Sequence, residues 1–119
     1  MVNRKILVVE DEKLLNDTIS TFLTYSDYDV VSAYDGISAV EMAKQHNPDL
    51  ILLDVMLPCM LGYDVAKAIR KFSSVPILFL TSIEDKESKQ KAFEAGATDY
   101  LSKSIDLSVL VEKINQILK

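Results

Sequence analysis

Five short apolar runs, each separated from the next by an amphipathic stretch, constrain this chain more than any other feature. The runs lie at 6–9 (Ile-Leu-Val-Val), 30–31 (Val-Val), 50–53 (Leu-Ile-Leu-Leu), 77–80 (Ile-Leu-Phe-Leu) and 100–101 (Tyr-Leu). They are continuous rather than alternating, which suits strands buried on both faces. The runs at 30–31 and 100–101 are the weakest and are expected nearer the sheet edges. The stretches between read as helices. Leu15, Thr18, Ile19 and Phe22 fall on one helical face by their spacing. Asp35, Val40 and Ala43 mark a second helix that should end before Pro48, because the residue before a proline resists helical dihedrals. Val65, Ala66 and Ile69 mark a third. A fourth covers 88–95, with Ala92 and Phe93 as its main contacts and Gly96 as its stop. Leu107, Leu110, Val111, Ile114 and Ile117 mark the fifth, with Asp106 placed to cap it. Strands alternating with helices in this way pair in parallel, through crossover helices that cover both faces of the sheet.

Composition narrows the class further. At 119 residues the expectation is one domain spanning 1–119. Apolar residues at 49% and charged residues at 26% exclude a disordered chain. Thirteen basic against 18 acidic residues leave a net charge of −5, which argues against direct nucleic-acid binding. Cys59 is the lone cysteine, so no internal disulfide forms. No apolar run approaches the roughly 18 residues that cross a bilayer, nor does the N-terminus carry a signal-peptide core. A cytoplasmic protein without membrane contact is expected.

In an open α/β sheet, ligands bind at the carboxyl ends of the strands. The residues leaving those strands are Glu10-Asp11-Glu12 after the first, Asp54 after the third, Thr81-Ser82 at the fourth and Ser102-Lys103 at the fifth. Carboxylates converging on one rim repel one another unless a cation holds them. Mg²⁺ takes oxygen ligands and commonly keeps waters beside one or two carboxylates and a phosphate. Lys103 can place a positive charge on the same phosphate. Thr81 can donate a hydrogen bond to it, and Asp54 can act as the nucleophile.

These residues, quoted as motifs, carry a resemblance. Val8-Val9-Glu10-Asp11, Leu53-Asp54-Val-Met-Leu-Pro58 with Gly62, Leu80-Thr81, and Gly96-Ala-Thr-Asp-Tyr100-Leu-Ser-Lys103 resemble the receiver domain of two-component response regulators. The resemblance covers essentially the whole chain, in the family's order and spacing. It implies a flavodoxin-like (βα)5 fold with strand order 2-1-3-4-5. It implies a phosphoacceptor rather than a general enzyme, promoting only its own phosphorylation and dephosphorylation. Asp54 would take a phosphoryl group from a phosphohistidine of a sensor histidine kinase or phosphotransfer protein. Asp11 and Asp54 would ligate Mg²⁺ directly, Glu10 through water and Met56 through its backbone carbonyl. Lys103 would pair with the phosphoryl group. Thr81 would move toward it, and Tyr100 would change rotamer in response. The face formed by the fourth helix, fifth strand and fifth helix would then meet a downstream effector or output domain.

Several positions depart from the family's pattern. Ser104 follows Lys103 where proline is usual, and a cis bond before a non-proline residue costs about 2.5–4 kcal/mol, which favours trans. Glu10 stands where aspartate is commoner, Leu61 where an acidic residue often precedes the glycine, and Ser82 where alanine is usual. Met56 and Ile83, two residues beyond Asp54 and Thr81, are both apolar and cannot hydrogen-bond an attacking water. Slow self-dephosphorylation is expected from that pair.

Taken singly, each residue has a plainer reading. Glu10, Asp11 and Glu12 favour a helix N-terminus by charge. Asp54, Thr81 and Lys103 could be ordinary loop, strand and surface residues, and Tyr100 simple sheet packing. Their joint placement at the ends of four strands favours the functional reading. His46 near a helix end and Cys59 beyond Pro58 are read as inert. The competing class is an atypical receiver that serves as a phosphorylation-independent interaction module. A flavin or P-loop nucleotide enzyme would need a glycine-rich phosphate loop, which three glycines at 36, 62 and 96 do not supply.

Overall fold

The computed structural model describes residues 3–118. Ten elements alternate along them: β1 (Lys5–Val9), α1 (Lys13–Tyr25), β2 (Asp29–Ala33), α2 (Gly36–His46), β3 (Leu50–Leu53), α3 (Gly62–Arg70), β4 (Ile77–Thr81), α4 (Lys86–Glu94), β5 (Asp99–Ser102) and α5 (Leu107–Ile117). The strands form one sheet in the order β2-β1-β3-β4-β5, every pairing parallel. This is the flavodoxin-like architecture, and the two weakest runs do lie at its edges.

Strand periodicity divides the core in two. Leu7, Val9, Ile51, Leu53, Ile77 and Phe79 face one way, against Ala39 and Ala43 of α2, Val65, Ala66 and Ile69 of α3, and Ala92 of α4. Ile6, Val8, Leu50, Leu52, Leu78 and Leu80 face the other way, against Ile19 and Leu23 of α1 and Leu110 and Ile114 of α5. Both sets are apolar because helices cover both faces. Since every strand runs the same way, every carboxyl end opens on one edge.

The helix ends follow local chemistry. Asp35 caps α2 by accepting from the Ser38 amide at 2.7 Å, and Asn47 closes it in a left-handed conformation, φ 47°. Asp85 caps α4 in the same way, accepting from the Ser88 amide at 2.8 Å. After α4, Gly96 adopts φ 106°, which suits a residue without a Cβ. Three details correct the sequence reading. The buried stripe of α1 is Asn16, Ile19 and Leu23, so Thr18 and Phe22 point outward. Phe93 is exposed, leaving Ala92 as the buried side chain of α4. Asp106 precedes α5, but its side chain accepts no capping hydrogen bond. No helix among the described residues is long and apolar enough to cross a membrane.

Candidate functional site

The carboxyl edge of the sheet gathers most of the residues singled out in the sequence. Asp54 leaves β3 from within an apolar strand and stays buried. Its Oδ1 accepts from the Val55 amide at 2.7 Å and its Oδ2 from Lys103 Nζ at 2.8 Å. Glu10 leaves β1, equally buried, with its amide donated to the Ala33 carbonyl of β2 at 3.1 Å. One Glu10 oxygen accepts from the Glu12 amide at 3.0 Å, and the other meets Lys103 Nζ at 2.7 Å. Lys103 therefore bridges two carboxylates that water barely reaches. Its own amide donates to the Thr81 carbonyl at 3.0 Å, which fixes the start of its reach. No cis peptide bond occurs among the described residues, so Lys103–Ser104 is trans, and the ammonium reaches both acids all the same.

Asp11 completes the cluster from an exposed position. Oxygen atoms of Glu10, Asp11 and Asp54 all lie within 4.8 Å of one another. The donor set is oxygen only, which is the chemistry a hard divalent cation takes. Three carboxylates around one lysine leave a net negative site, so a cation would relieve repulsion there. The electrostatics agree. Burial pushes the Glu10 carboxyl above the usual carboxylate range, although its bond from Lys103 pulls the other way. Burial opposes the charge on Lys103, but its bonds to Asp54 and Glu10 outweigh this and raise it above the ordinary lysine value.

The loop after β3 is held against the site by Gly62. Its amide donates to the Val55 carbonyl at 2.7 Å. A Cβ there would sit 2.1 Å from the Asp54 carbonyl oxygen, so only glycine lets α3 begin this close. Met56 projects from that loop and is exposed.

Thr81 and Tyr100 converge on a different atom group. Thr81 is fully buried at the end of β4, and its Oγ1 accepts from the Ile83 amide at 3.3 Å. Tyr100 pairs in register with Phe79, stacks with it at 6.1 Å between ring centroids, and donates its hydroxyl to the Ile83 carbonyl. Burial, with nearby acidic groups, pushes the Tyr100 phenol up to about 12, so it remains a donor at neutral pH. Ile83, at the entry to α4, is thus held on both sides of its backbone. Cys59 is exposed in the loop after β3 and lies outside these contacts. Sequence reasoning missed Asn16, a fully buried polar side chain on α1 behind the acidic turn. Its one signal was an amide at helical spacing from Ile19 and Leu23.

Comparisons with known proteins agree with this fold. The family model described as "Response regulator receiver domain" matches residues 6–115. A protein of Porphyridium aerugineum named "Probable transcriptional regulator ycf27" is 38% identical over 119 residues, all of this chain and 50% of that protein. The "DNA-binding dual master transcriptional regulator RpaA" of Synechocystis is 35% identical over 118 residues, 97% of this chain and 49% of that protein. The chain thus spans about half the length of these curated relatives. Among solved structures, the BeF3-activated N-terminal receiver domain of Klebsiella pneumoniae RstA superposes with a TM-score of 0.93 at 34% identity, covering 98% of this chain and 99% of that one. A two-component response regulator from Clostridium difficile superposes at 0.95 with 29% identity, covering 98% and 96%.

Proposed function

The chain belongs to the response regulator receiver domain family, whose members signal by phosphorylation, and from that premise we propose that Asp54 is its phosphoacceptor. The observation that carries the reading is the bridge from Lys103 to both Asp54 and Glu10, beside Asp11, at the carboxyl edge of the sheet. An Asp54 carboxylate oxygen attacks the phosphorus of a partner's phosphohistidine. The P–N bond breaks, its electrons return to the imidazole, and an acyl phosphate remains on Asp54. Lys103, already on Asp54 Oδ2, stands where it can follow the new negative charge. The oxygen donors of Glu10, Asp11 and Asp54 fit Mg²⁺; Asp11 and Asp54 would hold it directly, Glu10 through water and Met56 by its carbonyl, and it would neutralise charge on the transferring group.

Phosphorylation adds strong acceptor oxygens beside Thr81. In our reading Thr81 then exchanges its Ile83 amide for the phosphoryl group. The bond from Tyr100 to the Ile83 carbonyl carries that change into the entry of α4. With only Ala92 buried, α4 is held by a thin contact and is free to shift population. The face of α4, β5 and α5 is the surface we assign to a downstream effector or output domain, and a sensor histidine kinase or phosphotransfer protein is the donor. We read residues 1–119 as one receiver domain at a cytoplasmic location, acting as a phosphoacceptor with no further substrate. The intact cluster of Glu10, Asp11, Asp54 and Lys103 weighs against a phosphorylation-independent module. The test is incubation with a small-molecule phosphoryl donor and Mg²⁺, read by intact mass. Wild type should gain one phosphoryl group, and Asp54→Asn should gain none. Equal labelling of both would reject Asp54.

A further inference from the structure

Asn16 is a buried polar residue that the chemistry above leaves unused. Its Nδ2 donates to the Glu10 carbonyl at 3.1 Å and reaches the carbonyls of Ala33 at 3.4 Å and Val8 at 3.5 Å. Its Oδ1 accepts from the hydroxyls of Ser32 at 2.8 Å and Ser20 at 3.1 Å. Its backbone amide donates to the Glu12 carbonyl at 2.9 Å. One side chain thus ties the ends of β1 and β2 to α1, behind the acidic turn.

The Glu10 carbonyl belongs to the peptide that carries Asp11. Glu10's carboxylate is held by Lys103 and the Glu12 amide, and Asp54's by Lys103 and the Val55 amide. Asp11 is different. Among the described residues its carboxylate has no hydrogen bond or ion pair, so its aim rests on its backbone. Asn16 fixes that backbone at the neighbouring carbonyl. We propose that Asn16 is a positioning residue of the cation site, holding the Glu10–Asp11 peptide so that Asp11 faces Glu10 and Asp54. The proposal rests on reading that cluster as a divalent-cation site. Groups one bond removed from a metal ligand commonly matter this way, because they aim the ligand before the ion arrives.

A purely structural role predicts something else. Losing Asn16 would then lower stability and leave metal affinity alone, as would losing its neighbour Ser32. The experiment is a Mg²⁺ titration of the unphosphorylated protein, followed by the backbone amide shifts of Asp54 and Val55. Wild type should saturate. Ser32→Ala keeps the bond to the Glu10 carbonyl and should bind as wild type does, even if less stable. Asn16→Ala should bind about tenfold more weakly while keeping a folded amide spectrum. Asn16→Ala binding like wild type, or Ser32→Ala losing as much affinity, would overturn the proposal. Wild type that binds no Mg²⁺ would overturn it together with the cation-site reading. If Asn16→Ala does not fold, Asn16→Leu, which fills a similar volume, takes its place. A wild-type readout stands apart from both variants. The Asn16 side-chain amide resonances should move with the same Mg²⁺ midpoint as the Asp11 backbone amide, and stationary resonances would refute the proposal.

Discussion

Replacing Lys103 with methionine removes the cation that, among the described residues, bridges Glu10 and Asp54. Their side chains are 4% and 5% exposed, and Lys103's is 22%. Breaking a buried pair by deleting one partner costs roughly 3–5 kcal/mol, because a charge is left buried without compensation. Lys103 is partly open to water, so about 3 kcal/mol is the better figure without divalent cations. Mg²⁺ changes this value in a defined direction. Lys103 and Mg²⁺ neutralise the same carboxylates, so the ammonium opposes the metal, and its removal should tighten Mg²⁺ binding. If the tightening is about tenfold, linkage reduces the stability gap by about 1.4 kcal/mol at saturating Mg²⁺. The assay is urea unfolding of wild type and Lys103→Met, in EDTA and in Mg²⁺. At a slope of about 1.5 kcal/mol per molar urea, the variant's midpoint should lie about 2 M lower in EDTA, with a smaller gap in Mg²⁺. A gap that Mg²⁺ leaves unchanged would refute the shared-charge reasoning. So would a variant as stable as wild type in EDTA.

Three other expectations follow from single contacts. Gly62→Ala places a methyl 2.1 Å from the Asp54 carbonyl oxygen, so it should destabilise by about 3 kcal/mol and slow phosphorylation; an unchanged urea midpoint would count against the close approach. Burial disfavours the Asp99 charge, but the Lys113 bond at 2.9 Å and the Tyr100 amide outweigh it and hold the carboxyl below its ordinary value. A depressed acid stabilises above its unfolded pKa and loses that contribution as pH falls through the folded one. Lys113→Met should therefore lie about 0.5 kcal/mol below wild type at neutral pH, with the gap closing toward acid; a gap constant with pH would contradict this. Met56→Asn offers an attacking water a hydrogen bond, so the acyl phosphate should be lost faster, on the order of tenfold and short of the roughly 10²–10⁴ of a full general base. Unchanged decay of the phosphorylated protein would refute the expectation that apolar Met56 slows self-dephosphorylation.

The sheet and its acidic edge were readable because one physical signal marks both. An apolar run that stops at a carboxylate, as at Val9-Glu10 and Leu53-Asp54, locates a strand and its carboxyl end together. The order of the strands came instead from the resemblance, since periodicity says nothing of which strands are neighbours. The face of α1 was misjudged by about one residue because Asn16 is polar and Phe22 apolar. Burial followed the tertiary network, which satisfies the Asn16 amide with carbonyls and serine hydroxyls. Phe93 failed for the complementary reason: α4 meets the sheet through Ala92, and the neighbouring ring is left exposed. The trans bond after Lys103 agrees with the intrinsic cost of cis, which favoured trans without settling it. The bridge from Lys103 to Glu10 was not expected, because it spans 93 positions in the sequence and depends on the longer glutamate reaching the ammonium.

In the proposed switch, Asp54, Thr81, Tyr100 and α4 form one phosphorylation-driven path. Beryllofluoride stands in for the phosphoryl group. It should be titrated with Mg²⁺ while the amide shifts of Asp54, Thr81, Ile83, Tyr100 and Lys103 and of α4 are followed. Saturable, Mg²⁺-dependent shifts at all of these in wild type, and none in Asp54→Asn, are the predicted result. Shifts confined to Asp54 and Lys103, with Ile83 and α4 unmoved, would contradict the switch even if the analogue binds.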